Sequence, residues 1–331
     1  MKSNVLYIIA AFVVIEFTGN VLSLLSIEPT GFRLHLNTEW ADDDNAYADR
    51  DSTVGVWHVP NDVWIQNGPC FTVEMQSNNY GARDNNWDTS QSGYVFLGSS
   101  FVEGYGVSYG NRLSEHFEEL SKKEVFNCGM SGTFSPLQSF LVLKKFNKIL
   151  KFDTCFVFLI IPGDEKLIIE EPDDRYRPYL DKTVIKYPDS DESKYKPKKE
   201  LSKKAQLFFD QYFYTYHLYD FYRHRNTLKS EILDETENAR QTKFPAINNV
   251  IKLFTKNYPE KYFVFVLLPT LSSENEEFNF QSAKNAHLVD LREALDAKSH
   301  YFTCNSHWNE IGHNKVANEL YNSIYKKKDI N

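Results

Sequence analysis

Residues that build metal sites and thiol chemistry are scarce in this sequence. Its 331 residues include four cysteines, Cys70, Cys128, Cys155 and Cys304. None stands in a CxxC or Cys/His spacing, which argues against a zinc centre. Surplus basic charge is also lacking: 37 Lys and Arg face 45 Asp and Glu, a formal net charge of −8. Such a chain is poorly suited to a phosphate backbone, so no nucleic-acid partner is expected. No internal repeat is apparent. What is abundant is apolar and aromatic content, at 42% and 15% of residues. That suffices for one α/β domain with additions, or for two small domains. Cys128 and Cys155 fall in or just after core strands, where buried free thiols are expected. The even cysteine count leaves a bridge open in an oxidising compartment.

The N-terminus carries a long apolar run, Val5 to Ile15, resumed after Glu16 through Phe17 and Val21 to Ile27. Taken whole it is long enough to span a bilayer, with one carboxylate inside it. Taken short it resembles the core of a signal peptide, yet no A-x-A-like cleavage site follows. We expect an uncleaved signal anchor over residues 1–27. Lys2 precedes it, and Glu28, Arg33, Glu39 and Asp42 to Asp44 follow. The charge rule then puts the remainder outside the cytoplasm, as a single-pass membrane protein with a periplasmic or extracellular domain. Glu16 is expected to be ionised near the interface, protonated, or paired within the membrane.

Residues 28–93 read as a β-rich extension, with Phe71 to Met75 a strand and Asn78 to Asp84 a turn. From Tyr94 a βα alternation begins. Strands are expected at Tyr94–Leu97, Glu124–Asn127, Thr154–Ile161, Tyr262–Leu268 and Ala286–Leu288. Helices are expected near 111–121, 136–146, 246–256 and 290–297, with a last one after residue 309. This is a three-layer, flavodoxin-like α/β domain over 94–328 with a parallel five-stranded sheet. An insertion at 166–245 interrupts it. That insertion has a lysine-rich span and then an aromatic stripe from Phe208 to Tyr222. The stripe reads as packing or as the lining of a carbohydrate or acyl cleft. His217 and His224 within or just after it read as structural.

The candidate chemistry lies in two remote segments. Val95-Phe96-Leu97 runs into Gly98-Ser99-Ser100-Phe101, a buried strand ending in a small-residue turn. A hydroxyl there stands at the carboxyl edge of the sheet, where open α/β folds bind ligands, and meets the needs of a serine nucleophile. Read alone, the same stretch is also an ordinary turn. Far downstream, Asn305-Ser306-His307 precedes the final helix, so His307 can reach that edge as general base to Ser100. His313, inside the helix, is the rival base and is expected to pack or cap.

Together these blocks resemble the SGNH (GDSL-like) hydrolases. Gly98 to Gly104 matches the first block, Asn127 to Gly132 the second, and the His307 segment the last. The resemblance implies an esterase, possessed of no metal or organic cofactor, with Ser100 as nucleophile and His307 as base. It also implies oxyanion N–H groups from Ser100 and Gly132. An Asn-x-x-Gly-x-Arg element like Asn78 to Arg83 often precedes the nucleophile strand in envelope-associated members, which implies that Arg83 lies near the core. Two positions depart from the pattern. Gly163 stands where the family's oxyanion Asn belongs, and Asn305 (or Cys304, in the longer form of the block) where the orienting Asp belongs. Asp164 or Asp290 is a candidate substitute carboxylate. The expected substrate is an O-acyl ester of a cell-surface polysaccharide, with a lipid ester as one alternative. The other is a catalytically weak module that binds glycan or scaffolds the envelope.

Overall fold

In the computed structural model the described residues are 2–24, 48–68, 71–132, 134–170, 176–188, 244–271 and 277–325, with 209, 213–216, 218–219 and 222–223. The apolar run forms α1 (Lys2–Leu24). Two antiparallel hairpins follow: β1 (Ala48–Asp51) with β2 (Gly55–His58), and β3 (Val63–Gly68) with β4 (Phe71–Gln76). The alternation then gives β5 (Ser92–Gly98), the short α2 (Ser100–Glu103), α3 (Leu113–Ser121), β6 (Val125–Gly129), α4 (Pro136–Phe146), β7 (Lys151–Leu159) and α5 (Gly163–Ile169). A small hairpin, β8 (Tyr179–Asp181) and β9 (Val184–Lys186), stands in the insertion. The chain closes with α6 (Pro245–Asn257), β10 (Tyr262–Leu267), β11 (Ala286–Asp290) and α7 (Glu310–Tyr325).

Five strands form one parallel sheet in the order β11-β10-β7-β5-β6. The apolar runs of the central strands β5, β7 and β10 are nearly continuous because both faces are covered. Val95, Leu97, Cys155 and Val157 enter one core with α4 and α6. Phe96, Phe156, Phe158 and Val264 enter the other with α3 and α7. The chain leaves β5 for β6 on one side and returns to β7 on the other. The gap between the carboxyl ends of β5 and β7 is therefore the topological switch point, where such sheets open a crevice.

The expected helix at 290–297 does not form. The Asp290 carboxylate accepts the Arg292 N–H, and the Asp296 carboxylate accepts those of Lys298 and Ser299. These local bonds give the backbone an alternative to the helix. Cys128 and Cys155 are buried free thiols, while Cys304 is disulfide-bonded. Cys70, His217 and His224 lie outside the described residues.

Candidate active site

Ser100 opens α2 immediately beyond β5. The strand ends at Gly98, paired with Gly129 of β6. A Cβ on Gly129 would collide with the backbone of Val102 and Glu103, so only glycine lets α2 lie so close over the sheet edge. Gly104 ends the helix at φ +89°, donating its N–H back to the Ser100 carbonyl at 3.0 Å. Strand, turn and cap together set the serine at the switch point.

The structure brings the polar residues of the two remote segments together. Ser100 Oγ lies 2.6 Å from His307 Nε2. Asn305 Oδ1 meets His307 Nδ1, and the same oxygen accepts the His307 backbone N–H at 2.9 Å. A side-chain amide oxygen can only accept, so the ring proton belongs on Nδ1 and the Nε2 lone pair faces the serine. The imidazole lies between two rings, Phe101 at 4.8 Å and Tyr105 at 4.4 Å between centroids. With no carboxylate against it, burial pushes its pKa down to about 4. Neither ring was singled out from the sequence.

The other candidates serve elsewhere. The Asp164 carboxylate accepts the Ile160 N–H at 2.6 Å, and burial raises its pKa to about 8. Asp290 pairs with Arg292. Neither carboxylate takes the position at His307 Nδ1, which Asn305 holds. Gly163 begins α5, and two residues on, Glu165 accepts the first N–H groups of α6, from Ala246 and Ile247. His313 is buried in α7, where its Nδ1 accepts the Leu113 N–H at the start of α3. Gly132 has φ +88°. The chain leading into it is fastened: Met130 donates to the Gly98 carbonyl at 3.1 Å, and the Ser131 hydroxyl bonds Glu103.

The segment before β5 braces α2. Buried Arg83 donates to the carbonyls of Glu103 (2.9 Å), Gly104 (2.5 Å) and Val107 (2.6 Å). His58 Nε2 lies 2.6 Å from Glu103 Oε1, and Gln66 Oε1 accepts the Gly106 N–H at 2.8 Å. Arg112 crosses behind to the Arg83 carbonyl and the Asp84 carboxylate. The turn-like composition at 78–84 signalled a bend, and Arg83 turns out to be an internal brace. A cavity of about 700 Å³ lined by Asp84, Tyr109, Glu118 and Glu124, among others, includes neither Ser100 nor His307. Among the described residues no three His, Cys, Asp or Glu side chains gather as a metal site.

As chemistry, the arrangement supplies a hydroxyl hydrogen-bonded to a neutral imidazole of fixed tautomer. That is the minimum for transferring an acyl group through serine.

Neither a family model nor a curated relative matches the chain. Among solved structures, it is similar to a member of the lipolytic protein G-D-S-L family from Veillonella parvula, at 11% identity and TM-score 0.38, over 71% of this chain and 99% of that one. A family 3 carbohydrate esterase from Clostridium thermocellum aligns at 12% identity and TM-score 0.35, over 70% and 94%. An acetyl xylan esterase from Butyrivibrio proteoclasticus aligns at 10% and 0.36, over 82% and 73%. Likeness this loose carries no argument about activity. The chain's own sheet order is that of a flavodoxin-like α/β fold.

Proposed function

We propose that this chain is a serine-dependent ester hydrolase or acyltransferase, held to a membrane by α1. The observation that carries the reading is the 2.6 Å approach of Ser100 Oγ to His307 Nε2, between residues 207 positions apart. Ser100 Oγ attacks the ester carbonyl as its proton passes to His307 Nε2. The tetrahedral oxyanion is received by backbone N–H groups, those of Ser100 and Gly132 in this proposal. Collapse expels the alcohol, which takes the proton from the imidazolium and leaves an acyl-serine. Water or a sugar hydroxyl, deprotonated by the same imidazole, then releases the acyl group.

One feature supports the membrane anchor and a second a site outside the cytoplasm. Residues Asn4–Leu22 of α1 are apolar and long enough to cross a bilayer, with a mean hydropathy of 2.1. The bridged Cys304, three positions before His307, suits an oxidising compartment. An O-acylated surface polysaccharide is the substrate class we assign on that location.

The test is turnover of p-nitrophenyl acetate by the full-length protein in detergent, beside Ser100→Ala. Loss of turnover in the variant, with a fluorophosphonate probe labelling wild-type Ser100, supports the reading. Equal rates in both proteins sink it. That result would favour a binding or scaffolding module, to which Gly163 and the uncharged Asn305 already lean.

A further inference from the structure

The anchor helix is not bare. Phe12, Glu16 and Gly19 recur on one side of α1 at helical spacing. Glu16 accepts the backbone N–H of Tyr214 at 2.7 Å with one carboxylate oxygen. The other oxygen accepts the N–H of Thr215 at 3.1 Å and the Thr215 hydroxyl. Phe213 lies 6.2 Å from Phe12 between ring centroids. Gly19 is buried beneath the Tyr214 ring, with no room for a Cβ, whereas Val14 and Phe17 are 62% and 72% exposed. An ionisable residue within a span is costly unless partnered. Here both carboxylate oxygens carry donors, and all the donors come from the insertion.

The same contact leads to the candidate site. Tyr214 packs with Tyr105 and Phe302 around Phe71 and Cys304, and Tyr105 is a ring stacked on His307. One side chain therefore touches the apolar helix and the ring cluster behind the imidazole. Around it, Phe209, Tyr219 and Tyr222 are 43%, 59% and 49% exposed. Aromatic rings of this kind settle at the headgroup level of a bilayer. Glu16 lies six positions inside the end of the span at Leu22, about 9 Å along a helix, a depth that the apolar face of an interfacial helix reaches.

We propose that the aromatic segment bearing Phe209, Phe213, Tyr216, Tyr219 and Tyr222 enters the outer bilayer interface beside α1. Clamped there through Glu16, it seats the Ser100–His307 edge of the domain on the membrane surface. The occupant of the exposed apolar faces is lipid. This rests on α1 lying in a bilayer, not on the ester chemistry.

The experiment uses full-length protein in phosphatidylcholine–phosphatidylglycerol vesicles, with Tyr219→Cys carrying an NBD fluorophore. Nitroxide-labelled lipids should quench it, and Glu16→Leu or Gly19→Leu in the same background should weaken quenching, since losing about 1 kcal/mol shifts a docking equilibrium roughly fivefold. A wild-type label that lipid nitroxides leave bright, as in water, overturns the proposal. Quenching unchanged in both variants overturns the clamp. Ser100→Ala in the same vesicles keeps its quenching if the proposal holds. A failed esterase assay with intact quenching then removes only the catalytic reading.

Discussion

At the scale of single residues, the charge state of His307 governs what the site can do. An amide at Nδ1 fixes the tautomer but gives an imidazolium no countercharge, and the two flanking rings add none. The ring therefore stays neutral down to about pH 4, and the acid limb of kcat/KM should fall near there. Asn305→Asp places an anion beside Nδ1, which raises the imidazole pKa. The limb should move toward neutrality, and kcat at pH 7 should rise about 10- to 100-fold, less than the 10⁴ lost when Asp becomes Asn with the wrong tautomer. A pH–rate profile of the two proteins decides it. Asp164 makes a prediction of opposite sense. Its folded pKa near 8 exceeds the ordinary 3.8, so between those values the folded chain holds a proton that the unfolded chain releases. Stability is then lost as pH rises from about 4 to 8. Asp164→Asn keeps an acceptor for Ile160 and removes that titration. Its melting temperature should decline less over the interval, by the equivalent of a few kcal/mol at most. Ser100 and His307 were legible in the sequence because each has a local sign: a glycine turn after an apolar strand, and a histidine ahead of an amphipathic helix. The rings on the imidazole have no such sign, since the path of the 104–107 loop decides which aromatic faces it.

Among elements, the informative one is the stretch before β5. In sequence, residues 28–93 read as an extension, because polar turns and short strands show no period that reveals their partners. In the structure its described part reaches α2 and the loop after it through His58, Gln66, Phe71 and Arg83. Arg83 is the strongest of these ties. Replacing it by Met fills the volume but strands three carbonyls, each bond to a charged donor being worth about 1.5–3 kcal/mol. We expect a loss of about 3 kcal/mol or more in urea unfolding, with residual activity falling as the α2 turn loosens. The centre of the sheet was readable, since strands buried on both faces announce themselves as unbroken apolar runs. The helix expected at 290–297 failed for the converse reason. Its apolar spacing was outweighed by two aspartates that hold the backbone in turns.

For the whole molecule, the question is which parts meet lipid. If α1 spans the bilayer, full-length protein should stay with the membrane fraction after alkaline carbonate washing. Protease added outside intact cells or spheroplasts should reach the Ser100 domain, and cleavage confined to permeabilised cells would reverse the assigned side. A long apolar run was enough to suggest the anchor. The partner of its one carboxylate lay some 198 positions downstream, beyond the reach of any local pattern.

The bridged cysteine also bears on how this protein must be handled. Cys304 belongs to the strip of chain that delivers the imidazole, and it sits against Phe71 within the support of that strip. Material overproduced in a reducing cytosol would keep its sheet and its circular dichroism, because neither core holds that sulfur. Its base would nonetheless be loosely aimed. A blank assay on such material would report the state of one bridge, so the turnover test belongs on exported, oxidised protein.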